Sequence, residues 1–201
     1  MSASETLPPG YFDGVYAASA DPWQFATSDY ERAKYAATLA ALPRPHFESA
    51  FEIGCSIGVL TGLLAQRCSD LLAVDVSDAA LQTARQYLHA QSNVRLQKMV
   101  VPHDFPAGDF DLVMLSEVGY YWSRTDLALA AQRITLALRP GAALVLVHWT
   151  PPVHDYPLTG DAVHEYFMGL SGDQQPLRHL DASRHASYRI DVFEKAGPPP
   201  A

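Results

Sequence analysis

Short apolar runs alternate with segments of helical periodicity along most of the chain, the pattern of a parallel α/β sheet. A run at 49–53 reads as the first strand. Gly54 and Gly58 then bracket a turn that leads into Val59, Leu60, Leu63 and Leu64 at helical spacing, predicting a helix over 58–67. Further strands are expected at 71–76, 94–99, 111–116 and 143–147, with helices over 78–88 and 126–138 between them. Ser77 caps the first of these helices, and Pro140-Gly141 ends the second. A helix from Asp161 to about Leu170 follows, then two strands over 177–181 and 185–193 that suit an antiparallel edge. The pattern predicts a doubly wound, mostly parallel seven-stranded sheet with the last strand antiparallel.

Ahead of the first strand the chain is aromatic, with Tyr11, Phe12, Tyr16, Trp23 and Phe25, and Asp21-Pro22 marks a turn. Ser28 followed by Glu31 resembles a capping box, so a helix should run over 29–42 until Pro43 stops it. These aromatics either cover an apolar sheet edge or form a lid over the strand ends, with Trp23, Tyr30, Arg32 and Tyr35 facing a ligand. Arg32 would then hold a ligand carboxylate; otherwise it makes a surface ion pair. Residues 1–10 and 196–201 read as flexible tails, leaving 11–195 as a single domain whose first part, 11–45, is the helical lid.

Composition narrows the function. The chain has 201 residues, 48% hydrophobic and 18% charged, and 14 basic against 22 acidic residues give a net charge of -8. A nucleic-acid backbone would be repelled, and no run of Lys or Arg offsets this. No apolar stretch is long enough to span a membrane, and no signal peptide is evident. Cys55 and Cys68 make neither a disulfide framework nor a metal pattern, and His154, Asp155 and His164 lack tight ligand spacing, so no metal is expected. A cytoplasmic protein is the expectation.

A strand that ends in a glycine turn and feeds a helix presents backbone N–H groups to whatever lies over the strand ends. Asp75, at the tip of the second strand and 21 residues after Gly54, is placed to accept two ribose hydroxyls, or else is a solvated acid at a strand end. In a parallel sheet the strand ends share one face. Asp75, Glu117 and His148 should therefore converge on one crevice.

The motifs E-I-G-C-S-I-G at 52–58, V-D-V-S at 74–77, F-D-L-V-M-L-S-E-V-G-Y-Y at 110–121 and L-R-P-G-A at 138–142 resemble class I S-adenosylmethionine-dependent methyltransferases. A dinucleotide oxidoreductase fits less well, because Ser56 and Val59 replace the second and third glycines of its fingerprint. D-P-W at 21–23, Y-E-R at 30–32 and S-E-V-G-Y-Y at 116–121 look like the nodulation-type N-methyltransferases, which methylate the freed amine of a chitooligosaccharide. The likeness covers about residues 11–148. It implies a Rossmann-like methyltransferase fold and S-adenosylmethionine as cofactor, with S-adenosylhomocysteine as product. Glu52, Gly54, Cys55 and Gly58 would line the methionine moiety, Asp75 would bind the ribose, and Val76 would pack on adenine. Trp23 and Arg32 would close the pocket, with Met99, Val100 and Ser116 completing the cofactor set. One departure is that the acid commonly found after the third strand is replaced by Lys98-Met99-Val100-Val101, leaving backbone atoms, His103 or Asp104 to meet the adenine.

The reaction implied is N-methylation of a small molecule, an amino sugar or glycan among the acceptors. An attacking amine must lose a proton, for which Glu117, His148 and His103 are the candidate bases. Glu117 is otherwise an acid that starts a helix, and His148 a hydrogen-bonded support. Tyr120, Tyr121 and Trp149 would shape the acceptor pocket. Two other functions stay open, a small-molecule O-methyltransferase and a cofactor-binding protein without turnover.

Overall fold

A computed structural model describes residues 5–197. Seven strands form one sheet in the order β3-β2-β1-β4-β5-β7-β6. They are β1 (Phe47–Ile53), β2 (Cys68–Asp75), β3 (Val94–Lys98), β4 (Phe110–Ser116), β5 (Leu138–Trp149), β6 (Leu177–Arg184) and β7 (Tyr188–Lys195). The first five run parallel, and β7 inserts antiparallel between β5 and β6. This is the doubly wound sheet expected from the pattern. Its order reverses between β1 and β4, which opens a crevice beyond the strand ends.

Burial on both faces explains why the central strands read as continuous apolar runs. In β4, Val113 and Leu115 pack into one core, while Leu112 and Met114 enter the other. In β5, Leu144 and Leu146 divide from Val145 and Val147 in the same way. Helices α3 (Val59–Leu64), α4 (Asp78–Tyr87), α5 (Arg124–Ala137) and α6 (Gly160–Met168) surround the sheet. Ser77, Ser123 and Thr159 cap the last three through side-chain oxygens that accept backbone N–H groups.

Several boundaries differ from the expectations. The cap at Ser123 starts α5 at Arg124, two residues before Asp126. At its other end Leu138 already pairs with Phe110, so Pro140-Gly141 lies within β5 at a register shift instead of ending the helix. An unexpected helix, α1 (Pro9–Ala18), begins at a proline whose missing N–H costs nothing in the first turn. The helix expected over 29–42 forms as α2 (Asp29–Ala40), but only half of the capping box is made. Ser28 accepts the Glu31 N–H, while the Glu31 side chain turns instead to Lys34.

The N-terminal tail expected over 1–10 is corrected from Thr6 onward. The Leu7 N–H donates to the Tyr121 carbonyl, and Thr6 bonds Asp126 and the Ser123 N–H. These contacts fold the start of the described chain against the strand-end crevice. The rest of that tail before Glu5, and the C-terminal tail after Gly197, lie outside the described residues. Among the described residues no helix is long and apolar enough to cross a membrane.

Candidate active site

A cavity of about 500 Å³ occupies the crevice beyond the ends of β1, β2 and β4, under a roof made by α1, α2 and the chain between them. Its floor begins at the glycine turn. Gly54 has φ +80, and a Cβ there would lie 2.1 Å from Val118 Cγ2, so only glycine fits between β1 and the turn after β4. The Gly54 and Cys55 N–H groups both donate to the Val74 carbonyl, at 2.8 and 2.9 Å. Gly58, also left-handed, does not line the cavity; a Cβ there would come 2.8 Å from Leu88 Cδ1 on α4. Its role is corrected to packing of the turn against that helix.

Asp75 sits at the tip of β2 and lines the cavity. Its Oδ2 accepts the Ser56 N–H and its Oδ1 the Ser77 N–H, both at 2.9 Å. Each carboxylate oxygen thus keeps a lone pair, the number that a vicinal diol requires. Burial raises the Asp75 pKa, and the backbone N–H groups hold it back. Glu52 is almost fully buried in the cavity floor, and burial pushes its carboxyl up to about 7. Glu52 Oε2 and Thr61 Oγ1 have no hydrogen-bond partner. Cys55, Val76, Met99, Val100 and Ser116 complete the lining among the expected residues. The Val100 N–H and carbonyl are engaged by Asp104, so they are not the backbone atoms left for a ligand.

The roof is aromatic. Trp23 stacks on Phe25 and meets Tyr16 edge-on, and the Tyr16 hydroxyl reaches the Ser56 hydroxyl at 2.5 Å. Arg32 takes no part. It turns outward from α2 to Asp29 and the Thr27 carbonyl, so its place in the cofactor set is corrected to a surface ion pair.

At the far end of the cavity α2 supplies a charged group that the sequence did not reveal. Lys34 Nζ donates to Glu31 Oε1 at 3.0 Å and to Glu117 Oε1 at 2.6 Å, with its side chain only 4% exposed. Burial lowers the affinity of Lys34 for its proton, and the two carboxylates more than reverse this, leaving its pKa raised. Glu117 follows β4 with φ 57, a left-handed conformation rare for a residue with a side chain. Its Oε2 accepts the Tyr120 hydroxyl at 2.7 Å and the Trp149 N–H at 2.8 Å. Glu31 is also buried and lines the cavity, but its Oε2 has no partner. Tyr30, Tyr35, Tyr120, Tyr121, Trp149 and Tyr156 wall this end.

The histidine bases do not reach the cavity. His148 is wholly buried on the opposite face of β5 from Val147, where its Nε2 accepts the Gly119 N–H at 3.1 Å. Its proton therefore lies on Nδ1 and is donated to His164 Nε2, and His164 in turn donates from Nδ1 to Asp191 at 2.5 Å. Burial keeps both rings neutral by lowering their pKa values, His148 most strongly. His148 is corrected to a support for the turn that carries Glu117 and Tyr120. His103 stands on the surface beside Asp126, at 3.2 Å, and is corrected likewise.

Comparison with known proteins places the chain. The family model described as Nodulation protein S (NodS) matches residues 16–148. Nodulation protein S of Bradyrhizobium diazoefficiens is 30% identical over 127 residues, which cover 62% of this chain and 61% of that protein. The chain spans about half to three fifths of the length of the curated nodulation proteins it matches. A crystal structure named as a candidate methyltransferase of Pseudomonas syringae is 34% identical, covering 83% of this chain and 99% of that one with a TM-score of 0.72. The N-methyltransferase NodS of Bradyrhizobium japonicum, solved with S-adenosyl-L-homocysteine, is 22% identical and shares the fold, with a TM-score of 0.81 over 93% of this chain and 98% of that one. The Rossmann-like methyltransferase fold and the matched family model agree: this chain belongs to the nodulation protein S family.

Proposed function

We propose that the protein is an S-adenosylmethionine-dependent methyltransferase that methylates the nitrogen of a small amine, an amino sugar or glycan amine being the favoured acceptor. The observation that carries this reading is one cavity with two chemically different ends. At one end Asp75 offers two lone pairs to a diol beside a turn where only glycine fits, and Glu52 leaves a buried carboxyl oxygen unpartnered. Those residues fit the ribose and the amino-acid part of the cofactor, and Val76 and Met99 offer apolar surface to its adenine. At the other end two carboxylates outnumber one ammonium inside aromatic walls, a setting that suits a cationic amine.

When bound, the cofactor supplies an electrophilic methyl group. The chain's own residues align the acceptor and exclude water, which is most of what a direct displacement needs. The aromatic roof closes over the cavity, and the bonds from Tyr120, Trp149 and Lys34 fix Glu117. The buried, unpaired cysteines Cys55 and Cys68 suit a reducing cytoplasm.

The test is mass spectrometry after incubation with S-adenosylmethionine and either glucosamine or N-acetylglucosamine. Methylation of the amine alone is expected. Methylation of both sugars on oxygen would overturn the N-methyl reading in favour of an O-methyltransferase. Cofactor binding without transfer to any amine would point to a protein without turnover.

A further inference from the structure

Three charged side chains meet at the acceptor end of the cavity, and only one keeps an unused oxygen. Lys34 ties Glu31 to Glu117. Glu117 accepts three donors, from Lys34, Tyr120 and Trp149. Glu31, which lines the cavity, accepts one, on Oε1; the Tyr35 hydroxyl stands beside the carboxylate without making a hydrogen bond of ordinary geometry, and the buried Oε2 has no partner. A buried carboxylate oxygen left bare is costly unless a ligand completes it.

Charge defines that ligand. Two carboxylates and one ammonium leave a net charge of −1 inside an apolar wall, and one cationic amine brings the group to zero. We propose that Glu31 receives the methyl acceptor, its Oε2 holding the ammonium of a primary amine and taking one proton from it before methylation. This rests on the methyltransferase reading above. In that transfer an N–H bond breaks, an O–H bond forms on Glu31, and the nitrogen keeps the electron pair that makes it a nucleophile. The four groups remain neutral overall. Once the nitrogen is methylated it is cationic again, the group carries one positive charge, and the proton on Glu31 is expelled to solvent as product leaves.

Glu31 is suited to this exchange. Burial raises its pKa and the like charge of Glu117 adds to this, while Lys34 and the neighbouring Tyr35 hydroxyl oppose it. Its proton affinity therefore moves toward that of an amine. The Tyr35 phenol is itself held neutral by burial and the surrounding carboxylates. Glu117, clamped by three donors, is the fixed counter-ion of Lys34 and not the proton acceptor.

The experiment is calorimetric titration of the protein saturated with S-adenosylhomocysteine, using paired probes: glucosamine and glucose, ethanolamine and ethylene glycol, benzylamine and benzyl alcohol. Wild-type protein should prefer the ammonium in at least one pair by tenfold or more, and Glu31→Gln should abolish that preference without weakening S-adenosylhomocysteine binding. Repeating the titration in buffers of different ionisation enthalpy counts protons. Wild type should release none, because the cation is matched by Glu31, whereas Glu31→Gln should bind the neutral amine and release about one proton per complex. No ammonium preference in any wild-type pair overturns the proposal without using a variant. An unchanged preference or proton count in Glu31→Gln overturns it as well. Failure of folded wild type to bind S-adenosylhomocysteine overturns the underlying methyltransferase reading instead.

Discussion

Replacing Lys34 by Met isolates the physics of the proposed acceptor end. The methionine side chain fills much of the same volume but removes the ammonium that contacts Glu31 at 3.0 Å and Glu117 at 2.6 Å. All three side chains are largely buried, with exposures of 4%, 8% and 15% for Lys34, Glu31 and Glu117. Removing one partner of such a group leaves uncompensated buried charge, a loss of about 3–5 kcal/mol. For a chain of this size that is roughly 6–20 °C in melting temperature. The loss should depend on pH. Burial already raises the Glu31 pKa and Lys34 opposes that rise, so without Lys34 the folded state holds the Glu31 proton more tightly than the unfolded chain and regains stability as pH falls through the folded value toward the unfolded one. Guanidinium unfolding followed by tryptophan fluorescence should therefore show the largest deficit near pH 8 and a smaller one near pH 5. The double variant Lys34→Met/Glu31→Gln should recover part of it. A deficit under about 1 kcal/mol, or one equal at both pH values, would refute the buried-charge account.

Gly54→Ala should destabilise the fold by about 1–3 kcal/mol through overpacking and positive-φ strain, and Val118→Ala in the same chain should restore part of that loss in thermal melting, because Val118 Cγ2 is the atom that the new methyl group meets. Glu52→Gln should gain stability relative to wild type as pH rises, since a carboxyl lifted to about 7 is penalised when charged. Between pH 5 and 8 the relative gain should approach about 3 kcal/mol, and a pH-independent difference in denaturant midpoints would contradict the burial argument. His148→Leu leaves the buried Gly119 N–H without its acceptor and should cost about 1–3 kcal/mol at pH 7.5. Because burial lowers the His148 pKa, the unfolded chain binds the extra proton first, so wild type loses stability as pH falls below the unfolded value near 6.5. The leucine variant should show a shallower loss over that range in denaturation series.

The end proposed for the cofactor was legible because its geometry is local. A strand, a glycine pair and an acid at the next strand's tip lie within one βαβ unit, and Gly54 and Asp75 took the positions that such a unit dictates. The end proposed for the acceptor was not legible. Glu31 and Lys34 stand three residues apart on α2, the spacing of an ordinary surface ion pair, and their burial depends on how that helix docks across the strand ends. Arg32, one residue from Glu31, turns to the outer face instead, about 100° around the helix. His148 lies at the expected strand end but on its other side, since neighbours in a strand face opposite ways and Trp149, not His148, lines the cavity. Helix α1 escaped notice because its aromatic residues carry little amphipathic contrast and its start is a proline without a side-chain cap.

The central claim, that the cavity beside Asp75 is the cofactor site, is tested most directly by calorimetric titration of wild type and Asp75→Asn with S-adenosylhomocysteine, with folding checked by circular dichroism. The account predicts micromolar binding by wild type and at least a tenfold loss in the variant, about 1.4 kcal/mol. Equal affinity in the two proteins, or no binding by folded wild type, would contradict it.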